Sequence, residues 1–205
     1  MQPDKSAEAR IDPRAARSAA SLRHAILHLA ERQPIADITV DQVVEAAGIT
    51  RKTFYNHIGG PTELLTRTLM AELDQVRKRM DQGLVSGTED LTALSRTRLG
   101  EIIDHILRRR PIYQQPDGRI HPQLYRMLSD HFYAAIRFSL EQSLREVPLT
   151  ATASDTAIAD IHASYIAHAY AGAIDTWLPH ADTISPDILL DTIVGSLPRW
   201  MTTRK

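Results

Sequence analysis

The sequence predicts an all-α protein, and three observations carry that prediction. Apolar residues recur at helical spacing through most of the 205 residues. Threonine, serine or aspartate precedes several of those stripes, with proline or glycine where helices begin and end. No segment alternates apolar and polar residues over the length of a strand. About nine helices fit the pattern. They divide into an N-terminal three-helix unit over residues 1–60 and a helical remainder over residues 61–205.

Residues 1–11 are polar and are expected to be disordered. Asp12 and Pro13 read as a cap and a first-turn proline. A helix follows to about Arg32, with Ala19, Leu22, Ile26, Leu29 and Ala30 on its buried face. Thr39 caps a second helix, Gln42 three residues later closes a capping box, and Val43, Val44, Ala46 and Ala47 supply the buried side. Gly48 makes the turn. Thr50 caps a third helix that opens with Arg51 and Lys52 and sends Phe54 into the core. Pro61 starts a fourth helix, with Glu63 near the positive end of its dipole, and a stripe of Leu64, Leu65, Leu69, Leu73, Val76 and Met80 carries it to about Gln82.

Gly83 to Gly87 break the pattern. Thr88 then caps a helix containing Leu91, Leu94, Leu99, Ile102, Ile103 and Ile106, which ends before Pro111. Residues 111–122 hold three prolines and an Asp-Gly pair, which predict a loop. The next helix, from about Gln123 to Val147, carries Leu124, Leu128, Phe132, Ile136, Leu140 and Leu144; a break is expected near Ser129 and Asp130, and Pro148 stops it. A helix from a Ser154 or Asp155 cap to Leu178 is rich in small residues, including Ala163, Ala167 and Ala171. The last helix starts at Ser185 and Pro186 and continues to about Trp200, with Pro198 expected to kink or fray its end.

Two short helices around a glycine, followed at once by a longer one, form a helix-turn-helix, whose second helix suits a DNA groove. Arg51, Lys52, Thr53 and Asn56 are the candidates for base-edge or phosphate contacts, and Thr39 and Thr50 present hydroxyls and N–H groups at helix starts. Tyr55 combines a ring that packs with a hydroxyl within reach of a phosphate. The competing reading of Arg51 and Lys52 is a solvated charged face. Charge gives this surface little help: net charge is −1, and residues 1–60 hold eight Lys or Arg against seven Asp or Glu. The distribution is more informative, because Arg10, Arg14 and Arg17 cluster near the N-terminus while Arg51 and Lys52 open the recognition helix.

Ile38 to Val40, Ala46 to Arg51, Thr53 to His57, and Leu64 with Leu65 stand in the order and spacing of the pattern ITV..IA..AGVSR.TFY.HF..K..LL. On those residues, about the first third of the chain resembles the TetR family of bacterial transcriptional regulators. Ile58 departs from the aromatic usual in that family, and Pro61 replaces a lysine that grips a DNA phosphate. The resemblance implies that His57 meets a phosphate; a histidine at a helix C-terminus also interacts with the dipole. It further implies a small-molecule pocket in the helices beyond residue 83 and a four-helix bundle formed by the last two helices of two subunits.

Polar and aromatic interruptions of the C-terminal stripes fit either pocket lining or surface; as pocket residues they point to His131, Tyr165 and His168 first, then to His105 and Tyr125. Ala169, Ala173, Leu189, Ile193 and Leu197 are the candidates for the subunit interface. The expected protein is a homodimeric, ligand-responsive regulator, a repressor in type. It binds a palindromic double-stranded DNA operator, and an unidentified small-molecule effector in the C-terminal domain controls its affinity.

With no cysteine, disulfides, thiolate catalysis and thiolate metal sites are excluded. His24 and His28 have ligand spacing, but nothing nearby completes a site, so no metal or cofactor is expected. No apolar run approaches the roughly 20 residues that span a bilayer, and no signal peptide is evident, so the expected location is the cytoplasm, away from membranes. Two other readings fit less well: a dimeric small-molecule-binding protein without strong DNA affinity, and a small helical enzyme using histidine bases. Nothing in the sequence pairs those histidines with a nucleophile or cofactor motif.

Overall fold

A computed structural model of the chain describes residues 13–56, 58–81, 91–141 and 155–202. Its described residues form ten α-helices and no strand. In chain order they are α1 (Pro13–Ala30), α2 (Val40–Ala47), α3 (Arg51–Tyr55), α4 (Pro61–Asp81), α5 (Leu91–Arg108), α6 (Arg110–Tyr113), α7 (Pro122–Glu141), α8 (Asp155–Trp177), α9 (Pro186–Gly195) and α10 (Arg199–Thr202). The chain divides into two compact units, Met1–Leu65 and Thr66–Lys205, and the division falls inside α4.

In the first unit α1 packs against α2, and α2 against α3. Its core is built on Leu22, Ile26, Val43, Phe54 and Leu65, each buried. Both short helices begin as their sequences require. The Thr39 side chain accepts the Gln42 N–H while the Gln42 side chain takes the Thr39 N–H at 2.8 Å, and the Thr50 hydroxyl accepts the Thr53 N–H at 3.2 Å. Gly48 closes α2 with φ of 64°, a left-handed conformation in which its N–H returns to the last turn. Two expected core positions face solvent instead. Ala19 is exposed, and Ala25 takes the buried place on α1; Ala46 is exposed because the stripe formed by Val40, Val43, Val44 and Ala47 turns it outward.

In the second unit α7 and α8 pack along much of their length, and α5 packs against α9 and α10. The expected loop at 111–122 is more ordered than its prolines suggest. Pro111 lies in the first turn of α6, where its missing N–H costs nothing, and Tyr113 on the same short helix is fully buried. Gln114 bridges Ile120 across a turn at Gly118, whose φ is 87° and whose absent Cβ would sit 3.1 Å from Pro179. The buried Asp175 of α8 ties this turn down: it accepts the Ile120 N–H at 2.7 Å and pairs with Arg119.

The break expected near Ser129 and Asp130 is absent. The Ser129 hydroxyl donates to the Tyr125 carbonyl at 3.0 Å, so the helix continues through a residue that would otherwise compete with it. The last expected helix is two. α9 stops at Gly195, and α10 restarts after Pro198 so that Met201 reaches the core. The break at Gly83 to Gly87, the Thr88 cap, Leu144 with the Pro148 stop, and the Ser154 cap lie outside the described residues.

Candidate DNA-binding surface and ligand cavity

The capped turn between α2 and α3 fixes which side chains the short helix can offer. Arg51, Lys52, Tyr55 and Asn56 are exposed, and Tyr55 keeps 59% of its surface free while its ring meets Phe54 edge-on at 5.5 Å. Phe54 is fully buried and anchors the helix from the opposite side. Thr39, Thr50 and Thr53 are drawn into the caps: the Thr39 hydroxyl lies 3.2 Å from the Gln42 side-chain oxygen, and the Thr50 and Thr53 hydroxyls are 3.0 Å apart. His57 lies outside the described residues.

One contact was not foreseen in the sequence. The Arg51 guanidinium donates two hydrogen bonds to the Asp41 carboxylate, one to each oxygen, joining the start of α3 to the first turn of α2. Both partners are well exposed, so salt and competing anions weaken the pair. Asp41 is ten residues upstream, on a different helix, and only the turn geometry at Gly48 brings the two together. At the start of α4, Glu63 accepts the Gly59 N–H at 2.9 Å.

A cavity of about 70 Å³, open to solvent on one side, lies within the second unit. Apolar walls come from Leu99 and Ile102 of α5, Phe132 and Ile136 of α7, and Met201 of α10. The polar groups are Arg77 of α4, Ser95 and Arg98 of α5, His131 and Ser139 of α7, and Tyr170 of α8. His131 is buried, and that burial lowers its pKa against a weaker opposing pull from Asp74, whose carboxylate is 3.9 Å from Nδ1.

Of the expected pocket residues, His131 lines this cavity and the others do not. His105 is buried in a separate cluster, where Nε2 and the Tyr113 hydroxyl share a hydrogen bond of 3.1 Å and Nδ1 lies 3.6 Å from Glu72. Burial holds its pKa down at about 4, so the ring is neutral. Tyr125 is half-buried beside α8. Tyr165 is 70% exposed, and His168 is exposed with Nδ1 against the Ser164 carbonyl. Both lie on the outer face of α8, whose periodicity alone does not say which side meets α7. The missed residues Arg77, Arg98, Ser95 and Ser139 carried a signal of their own, as polar residues on the core-facing sides of their helices.

The expected interface residues also separate. Ala169 is exposed, and Ala173 and Leu197 are half-buried, whereas Leu189 and Ile193 are buried inside the chain. On α9 it is Ile188, 56% exposed, that faces outward in the single chain, while Leu189 and Ile193 are buried.

Solved structures with the same architecture cover nearly the whole chain. A TetR-family regulator from Syntrophomonas wolfei matches with a TM-score of 0.58 over 88% of this chain and 92% of its own, at 13% identity. The chain has the fold of TetR-family regulators. RolR without ligand matches at a TM-score of 0.57 and 19% identity, covering 91% of each chain, and RolR has also been solved in complex with resorcinol. The fatty acid degradation regulator FadR from Bacillus halodurans matches at 0.57 and 11% identity, over 92% of this chain and 98% of its own. No protein-family model and no curated protein matches the sequence.

Proposed function

We propose that this chain is a ligand-responsive transcription regulator, a repressor in type, that binds a palindromic operator as a homodimer. The observation that carries the reading is α3: a helix held by the left-handed Gly48 and the Thr50 cap, offering Arg51, Lys52, Tyr55 and Asn56 to solvent from a buried Phe54 anchor. Such a helix presents cations and hydrogen-bonding groups at groove scale while its backbone stays rigid. Among the described residues no three His, Cys, Asp or Glu side chains gather as metal ligands, and no helix is long and apolar enough to cross a membrane.

Dimerisation supplies the second reader that a palindrome needs. Ile161 and Tyr165 of α8, 68% and 70% exposed, and Ile188 of α9 leave large apolar side chains uncovered in the single chain, and Ala169 on the same side of α8 permits close approach. The small-molecule effector occupies the cavity and shifts the protein between conformations that differ in DNA affinity; only a difference in its own affinity for the two can do so. α4 carries the signal, since it is continuous from the proline that opens it in the first unit to Val76 and Arg77 at the cavity.

A mobility-shift titration against DNA upstream of the chain's own coding region, at low and physiological salt, tests the reading. Saturable binding at a discrete site that weakens steeply with salt is the expected result. Failure to prefer that DNA over unrelated sequence at either salt concentration, with a folded dimer, would leave a ligand-binding protein without operator function.

A further inference from the structure

We propose that the cavity binds a small uncharged molecule whose hydroxyl donates a hydrogen bond to His131 while its apolar body lies against Leu99, Phe132 and Ile136. This rests on the reading of the cavity as an effector site and adds the effector's chemical class. His131 lines the space with 3% of its side chain exposed, and its ring makes no hydrogen bond among the described residues. The Asp74 carboxylate stands 3.9 Å from Nδ1, beyond hydrogen-bond reach. A buried imidazole left in that state is costly, and a ligand group that pairs with it removes the cost.

The surroundings of the ring decide which partner it wants. Burial keeps the imidazole neutral, and the carboxylate beside Nδ1 favours the proton on that nitrogen. Nε2 is then an acceptor, and the ligand must bring a donor. The charged groups of the lining ask for nothing more: Arg77 already pairs with Asp74 at 3.2 Å, and Arg98 has an interaction of its own within the chain. An anion would meet the Nε2 lone pair, and a cation would meet two guanidinium groups. Ser139, about two turns further along the same face of α7, is a second buried polar side chain of the lining without a hydrogen bond among the described residues, and it too is uncharged. A space of about 70 Å³, open on one side, limits the ligand to about one ring. A phenol meets all of these demands, since its ring packs against Phe132 and its O–H is a stronger donor than that of an aliphatic alcohol.

Calorimetry on the full chain with four probes of one skeleton tests the assignment: p-cresol, toluene, p-methylanisole, which accepts a hydrogen bond but cannot donate one, and the anion p-toluate. p-Cresol is expected to bind about tenfold more tightly than each of the others, the factor that one hydrogen bond to a buried acceptor contributes. His131→Leu is expected to remove most of that preference. Circular dichroism and the unliganded melting curve show whether the variant folds, and His131→Phe, which also lacks an acceptor, serves where His131→Leu does not. Toluene or p-methylanisole binding as tightly as p-cresol, tighter binding of p-toluate, a p-cresol preference that survives in a folded His131 variant, or no binding of any probe overturns the proposal. None of these readouts involves DNA, so a saturable operator complex alongside any of them leaves the regulator reading standing. p-Cresol that binds through His131 but leaves the operator complex unchanged in a mobility shift supports the ligand class and removes the effector role.

Discussion

Arg51 shows how a single contact changes the meaning of a motif residue. In the free protein its guanidinium is held by Asp41, so any DNA contact it makes must compete with a carboxylate on the same surface. Asp41→Asn is therefore expected to tighten operator binding several-fold, with Arg51 released and a negative charge removed from the face proposed to meet phosphates. Weaker binding by Asp41→Asn in a mobility shift would show instead that the pair aims Arg51 at its target. Arg51→Ala and Lys52→Ala are expected to weaken binding by about tenfold or more without changing melting behaviour.

His105 gives a residue-scale prediction of another kind. Its pKa is lowered to about 4, first by burial and then by Arg108, Arg109 and His131, against an opposing pull from Glu72. The unfolded chain binds the proton near the ordinary value of 6.5, so between 6.5 and about 4 the unfolded state holds more protons than the fold. The stability is fully present above the upper value and is lost as pH falls through the window, by up to about 3 kcal/mol. His131 is shifted in the same direction and adds to the loss. His105→Gln keeps a hydrogen-bonding group but cannot titrate, so its urea midpoint is expected to fall less across that window than the wild type's; parallel curves would dismiss the role.

At the scale of elements, local chemistry was legible wherever the signal and its consequence lie within a few residues. The Thr39 capping box, the Thr50 cap, the left-handed Gly48 and the proline that opens α4 all depend on neighbours in sequence. Gly48→Val is expected to destabilise the first unit by roughly 1–2 kcal/mol, the scale of placing a residue with a Cβ in the left-handed region. Nothing lies within 4 Å of where that Cβ would be, so the cost is conformational, and Gly48→Asn is expected to lose much less. Equal melting of the two variants would contradict this. What escaped the sequence depends on partners far along the chain. Residues 111–122 read as a loop because Asp175, which tethers Ile120, is more than fifty residues downstream. That Leu189 is buried and Ile188 exposed also lay beyond the sequence, because helical periodicity gives a stripe but not the side from which α5 approaches. Likewise Tyr165 and His168 look like pocket residues until α7 claims the opposite face of α8.

At the scale of the whole molecule, the uncovered apolar face of α8 and α9 makes the strongest claim on a second copy of the chain. Ile161, Tyr165 and Ile188 are among six large hydrophobic side chains that are exposed among the described residues, and these three fall on the two helices within the surface proposed for dimerisation. Placing a charge there leaves the single chain's interior untouched, because none of the three is buried. Ile161→Asp and Tyr165→Asp are therefore expected to preserve helicity and monomer folding while desolvating an unpaired carboxylate in the dimer, at a cost of several kcal/mol that dissociates it. Leu189→Asp is the informative contrast: Leu189 is buried within the chain, so that substitution is expected to lower stability before it alters association. Light scattering at micromolar concentration reads the first effect and thermal melting the second. Because a palindromic operator engages two readers at a fixed separation, operator affinity is expected to collapse in the α8 variants although their α3 residues are intact. Dimers that persist in Ile161→Asp and Tyr165→Asp, or operator binding that survives in a demonstrated monomer, would place the interface elsewhere or remove the need for one.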